Sequence, residues 1–132
     1  MAGWNEQVID EFRSNDGRTE RWGDRLIVMH TTGAKSGELR LNPVMGMPNE
    51  GGWIVVASKG GAPEPPAWYL NLQAHPEVQV QVKGDRFTAR ARDATPEEKP
   101  EFWAIMTQQW PDYDEYQTKT DRPIPVVVLE RR

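Results

Sequence analysis

Three short stretches hold the residue types that could do chemistry. The first, Ala57-Ser58-Lys59-Gly60-Gly61-Ala62-Pro63, follows an apolar run that starts at Trp53 and leads through Pro65 and Pro66 into Ala67-Trp68-Tyr69-Leu70-Asn71-Leu72. Gly60 and Gly61 lack a Cβ, so their backbone can take positive φ and bring N–H groups close to a bound anion. Lys59 adds a mobile cation and Ser58 a hydroxyl donor. The indole, phenol and carboxamide that follow form the expected wall of a ligand site. The plain alternative is a strand, a turn and a helix with no ligand.

The second stretch is Gly33-Ala34-Lys35-Ser36-Gly37. Its Gly-x-Lys-Ser order invites comparison with a P-loop, which needs Gly-Lys adjacent and a further glycine five residues before. Neither is present, and the turn leads into a β-type segment, so nucleoside triphosphate binding is excluded. Between Gly33 and Gly61 stand three cations (Lys35, Arg40, Lys59) and two anions (Glu38, Glu50), a net +1 in a chain of net charge −4. That excess suits one anionic ligand and disfavours nucleic acid. In the third stretch Trp110, Tyr113 and Tyr116 recur every three residues, so a helix would put them on one face. Asp112, Asp114 and Glu115 between them imply an exposed segment, hence an aromatic rim able to stack on a planar substrate.

These residues need a frame. At 132 residues the chain is expected to form one domain, 1–132. Its 37% hydrophobic and 27% charged content fits a folded soluble protein. No apolar run approaches the ~20 residues of a membrane span, and no signal-like N-terminus is present; the cytoplasm is the expected compartment. With no cysteine and only His30 and His75, no metal centre is expected.

Trp4, Val8, Ile9 and Phe12 have helical spacing, so residues 3–13 read as an amphipathic helix that packs on its own domain or touches a membrane surface peripherally. Asn15-Asp16-Gly17 ends it. Strands are expected over 25–32, 39–47 and 52–58, a helix over 67–74, and a hairpin in which Val78, Val80 and Val82 are followed by Phe87, Ala89 and Ala91. Thr95-Pro96-Glu97-Glu98 has capping-box spacing ahead of a helix whose first turn Pro100 should distort. Val126 to Leu129 is the last strand. Short turns between strands favour an antiparallel sheet, and about six such strands can close into a small barrel with helices at its openings, an α+β fold that is mainly β.

Taken together, the motifs resemble the deazaflavin-dependent nitroreductase family, actinobacterial oxidoreductases that use the 8-hydroxy-5-deazaflavin coenzyme F-420. The resemblance rests on Thr31-Thr32-Gly33-Ala34-Lys35-Ser36-Gly37 with Arg40 and Asn42-Pro43, on Ala57 to Ala62, and on Trp68 to Leu72 with Pro76. It continues through Ala91-Arg92-Asp93-Ala94-Thr95, Tyr113 to Gln117 and Thr120-Asp121-Arg122, covering about residues 26–130.

The resemblance implies a split β-barrel of the FMN-binding type and a hydride passed from C5 of the reduced deazaflavin to a quinone or nitroaromatic. Carried over by position, Ala34, Lys35, Ser36, Gly37, Glu38, Leu39 and Arg40 would hold the phosphodiester and polyglutamate tail. Ala57, Ser58, Lys59, Gly60 and Gly61, with Ala67, Trp68, Tyr69, Leu70 and Asn71, would line the ring. Trp110, Tyr113 and Tyr116 would form the substrate pocket, with Ser58, Tyr113 and Tyr116 as the catalytic candidates that stabilise developing negative charge. Trp110 stands where the best-known member has a third tyrosine, and Lys119 where it has a tryptophan, so this chain departs in its substrate pocket. The alternatives are an FMN-dependent reductase on the same barrel, or a non-catalytic carrier of a deazaflavin or lipid; a monomer or a homodimer is compatible with each.

Overall fold

A computed structural model of the chain describes residues 26–49, 52–82 and 85–132, together with Gln7 and Ile9. The strands are β1 (Leu26–Thr32), β2 (Leu39–Asn49), β3 (Gly52–Val56), β4 (Glu77–Val82), β5 (Asp85–Asp93) and β6 (Val126–Arg131). A 3-10 turn covers Lys59–Gly61, and the helices are α1 (Ala67–Ala74), α2 (Lys99–Gln109) and α3 (Asp112–Thr118). Every strand pairing is antiparallel, and the order β1-β2-β3-β6-β5-β4 closes into a barrel through β4 on β1.

Strand β2 contains Pro43 and Pro48, which would be out of place in a strand paired on both sides. Among the described residues, each sits where β2 has one neighbour only. Pro43 lies opposite Val28 of β1, before pairing with β3 starts at Gly46; Pro48 lies opposite Trp53 of β3, after pairing with β1 has ended at Met45. The missing N–H therefore costs no ladder bond.

The barrel interior is filled by Ile27, Met29, Val55, Val80, Phe87, Val127 and Leu129, with Ala89 and Ala91 leaving room for Leu72 of α1. The opposite face of β3 and β6 is also buried. Ile54, Val56, Val126 and Val128 pack there under Phe102 and Met106 of α2, Tyr113 of α3, and Ile124. Burial on both faces is why these two strands read as unbroken apolar runs. Strand β3 stops at Val56, two residues short of the expected Ser58: the Ala57 N–H still donates to the facing Pro125 carbonyl at 3.0 Å, but that proline has no N–H to return the bond.

The capping box forms: Glu98 N–H donates to Thr95 Oγ1 at 3.2 Å and Thr95 N–H to Glu98 Oε1 at 2.9 Å. It closes a turn ahead of α2, which begins only at Lys99, so Pro100 falls in the first helical turn where no N–H is required. Of the expected N-terminal helix only Gln7 and Ile9 are described, both helical, and Ile9 is buried against Leu26 and Val28 of β1. The rest of 3–13, the turn at 15–17 and the hairpin tip at 83–84 lie outside the described residues. No helix among the described residues is long and apolar enough to cross a membrane.

Candidate active site

The turn between β1 and β2 is a closed loop. Gly33 N–H donates to the Glu38 carbonyl at 2.8 Å, Gly37 N–H donates back to the Gly33 carbonyl at 2.9 Å, and Gly37 has φ 71°. Ala34 to Arg40 are all exposed. Helix α1 lies beside this loop, and between them opens a cleft of about 470 Å³ lined by Gly33, Ala34, Lys35, Ser36, Arg40, Leu41, Asn42, Ala67, Leu70 and Asn71. That volume falls in the ordinary range for a ligand cleft, roughly 300–1,000 Å³.

The loop is tied to α1 by one buried carboxamide. Asn71 Oδ1 accepts the Ala34 N–H at 2.9 Å, while its Nδ2 donates to Thr31 Oγ1 at 3.2 Å. Thr31 in turn donates to Asn42 Oδ1 at 2.7 Å. Asn71 lines the cleft and also ties its two walls together. Arg40 pairs with Glu38 at 3.2 Å, both exposed, whereas Lys35 has no carboxylate partner among the described residues.

Trp68 and Tyr69, expected to line the ring, do not border the Lys35 cleft and are half-buried against the barrel core. The Tyr69 hydroxyl donates to the Asp93 carboxylate at 2.9 Å; burial, then that carboxylate, push its pKa up to about 12. Ser58, Lys59, Gly60 and Gly61 line no part of the Lys35 cleft. Ser58 is buried and its side chain makes no capping bond to the 3-10 turn that follows. The expected positive φ is found at Gly61, 86°, and also at Lys59, 47°. A Cβ on Gly61 would stand 2.5 Å from the Tyr116 carbonyl, so this glycine serves the approach of α3.

The third stretch differs from the exposed aromatic face expected of it. Trp110 ends α2 and Pro111 precedes α3, so the three aromatics do not share one helix. Tyr113 is 6% exposed, turned into the cluster under β3 and β6, while Asp112, Asp114 and Glu115 face outward. Seven residues of helix suffice to put acidic neighbours and a buried ring on opposite sides. Tyr113 and Tyr116 meet edge to face with centroids 6.1 Å apart, and Trp110 Nε1 donates to the Tyr116 hydroxyl at 3.4 Å. Burial, then the neighbouring Tyr116, pushes the Tyr113 phenol well above its usual pKa, and its hydroxyl has no partner among the described residues. It is a neutral hydrogen-bond donor, not a base.

Reading the sequence by motif missed Arg122. Its Nε donates to the Ala62 carbonyl and its Nη2 to the Ser58 carbonyl, both at 2.9 Å, with the Ala57 carbonyl at 3.4 Å. The available signal was the Thr120-Asp121-Arg122 segment, noted only as a match.

A closed six-stranded antiparallel barrel with α1 against its interior cluster, α2 and α3 on the outer face of β3 and β6, and a cationic cleft beside α1 defines a split barrel of the FMN-binding, pyridoxamine-phosphate-oxidase-like class. Residues 4–131 match the family described as F420H(2)-dependent quinone reductase, and the chain belongs to that family. A Mycobacterium tuberculosis protein named F420H(2)-dependent quinone reductase is 40% identical over 131 residues, covering 92% of this chain and 85% of that protein. The solved structure of an F420-H2 dependent reductase (FDR-A) is 43% identical with TM-score 0.74, covering 80% of this chain and 94% of that one. A structure described as a domain-swapped dimer is 40% identical with TM-score 0.76, covering 94% and 92%.

Proposed function

We propose that this chain, as one domain, is a quinone reductase driven by the reduced deazaflavin coenzyme. The observation that carries the reading is the cleft between the Gly33–Gly37 loop and α1, where Lys35 is exposed without a carboxylate partner among the described residues. A phosphodiester and a polyglutamate tail are the anions such a cleft fits, and the family match supplies the coenzyme's identity. Ala34, Lys35, Ser36 and Arg40 would hold the phosphate and tail, with Asn71 fixing the loop to α1. Ser58 and Lys59 would meet the ring end.

When bound, the coenzyme supplies a hydride from C5. The chain's part is to orient donor and acceptor and to meet negative charge as it develops on the acceptor oxygen. Tyr113 suits the second task, since its buried phenol stays protonated and can donate without ionising. Tyr116 and Trp110 border it as the acceptor pocket. A homodimer is the assembly favoured by the domain-swapped relative.

Titration of the purified protein with the oxidised deazaflavin coenzyme and, separately, with FMN tests this reading. Saturable binding of the deazaflavin at micromolar concentration, tighter than FMN, is expected. Preference for FMN would move the chain to the flavin alternative, and binding of the deazaflavin without any quinone-dependent turnover would make it a carrier.

A further inference from the structure

Lys59 is the one non-glycine residue in the left-handed region among the described residues, with φ 47°. For an L-residue that conformation is unfavourable and persists only when its surroundings impose it. Two bonds close the turn itself: Gly61 N–H to the Ser58 carbonyl at 2.9 Å and Ala62 N–H to the Lys59 carbonyl at 3.2 Å. From outside the turn, Arg122 brackets the residue: its guanidinium grips the carbonyls of Ser58 and Ala62, one on each side. The Arg122 backbone is itself pinned. Gln117 Nε2 donates to the Arg122 carbonyl at 2.9 Å, and Gln117 Oε1 accepts the Ile124 N–H at 2.9 Å. Arg122 has no carboxylate partner among the described residues, so its donors are committed to this loop.

We propose that Arg122 is the positioning residue of the active-site loop: it holds Ala57–Ala62 in the one backbone geometry that aims Ser58 and Lys59 at the ring of the coenzyme. It acts through the loop and touches neither coenzyme nor acceptor. The planar fork matters, because three carbonyls in different directions can be met by a guanidinium and not by an ammonium. The role of Ser58 and Lys59 at the ring rests on the function proposed above; the hold of Arg122 on the loop does not.

The test compares wild type with Arg122→Lys and Arg122→Ala. Hydrogen–deuterium exchange of the coenzyme-free protein reads the loop directly. Amides of 57–62 should exchange about tenfold or more faster in Arg122→Lys, while those of β1 stay as in wild type. With coenzyme, kcat for menadione should fall about tenfold or more and KM should change little, since a loosened loop misplaces reacting groups without emptying the pocket. Millimolar methylguanidinium should restore part of the Arg122→Ala rate where methylammonium does not. Unchanged exchange at 57–62 in Arg122→Lys overturns the proposal. So does a rate loss that only tracks loss of folded protein, with no guanidinium rescue. Should wild type itself fail to turn over, the proposed function is wrong, and the exchange result still decides whether Arg122 sets the loop.

Discussion

The backbone N–H of Ala34 donates to the side-chain oxygen of Asn71 at 2.9 Å, joining two segments 37 residues apart into one cleft. Replacing Asn71 by alanine leaves that N–H and the Thr31 hydroxyl short of a partner. The exposed Ala34 N–H can turn to water and Thr31 keeps Asn42, so the loss is that of ordinary hydrogen bonds, about 0.5–1.5 kcal/mol each, and Asn71→Ala should lower Tm by a few degrees. Asn71→Asp can still accept from Ala34 but cannot donate to Thr31, and it sets a carboxylate beside the expected anion. Its coenzyme affinity should fall further than that of Asn71→Ala; equal affinities by titration would mean that the anion lies elsewhere.

Lys35 is exposed and unpaired by carboxylates among the described residues, so its removal should cost binding and not stability. A charge-assisted contact is worth roughly 1.5–3 kcal/mol, which predicts about 10–100-fold weaker coenzyme binding for Lys35→Ala at unchanged Tm. Glu38 occupies Arg40 at 3.2 Å. Glu38→Gln should therefore tighten coenzyme binding, a change of sign that mere loop damage would not produce.

Tyr113→Phe removes one oxygen from a buried ring that has no hydrogen-bond partner among the described residues. Packing is kept, so Tm should hold. If the hydroxyl serves the acceptor, kcat/KM for menadione should drop about tenfold or more, with coenzyme affinity within a few-fold. Unchanged kcat/KM at unchanged Tm would make Tyr113 a core residue only.

Glu98 carries the clearest pH signature. The Arg92 guanidinium, bound through Oε1 at 2.7 Å and Oε2 at 3.0 Å, and then the Thr95 N–H hold its carboxyl at about 2, below the ordinary 4.5. A carboxylate depressed in the folded state adds stability above its unfolded pKa and loses it as pH falls through the folded one. The contribution should be complete above pH 4.5 and vanish towards pH 2. Thermal melts of wild type and Glu98→Gln should differ near neutrality and converge across that interval; a constant difference would place the effect in packing.

Much of the frame was legible because its causes are local. Alternating valines gave the β4–β5 hairpin, Thr95 and Glu98 marked the cap, and Ala67 to Ala74 formed the helix expected of it. The motifs also singled out Gly33 to Ser36 and Asn71, and these residues line one cleft. What escaped was set by contacts distant in sequence. Tyr113 is buried because Phe102, Met106 and Ile124 cover it, which no reading of its acidic neighbours could show. Arg122 reaches carbonyls some 60–65 residues earlier, and a donor to main-chain oxygens leaves no trace in the side chains of its partners.

The most direct test of the account is anaerobic turnover. Reduced deazaflavin coenzyme and menadione are mixed with catalytic amounts of wild type, with Lys35→Ala, or without protein, and coenzyme oxidation is followed by absorbance. The account predicts a rate proportional to wild-type concentration and, at subsaturating coenzyme, much lower with Lys35→Ala. A rate no faster than the protein-free control, or one equal in wild type and Lys35→Ala at every coenzyme concentration, would contradict it.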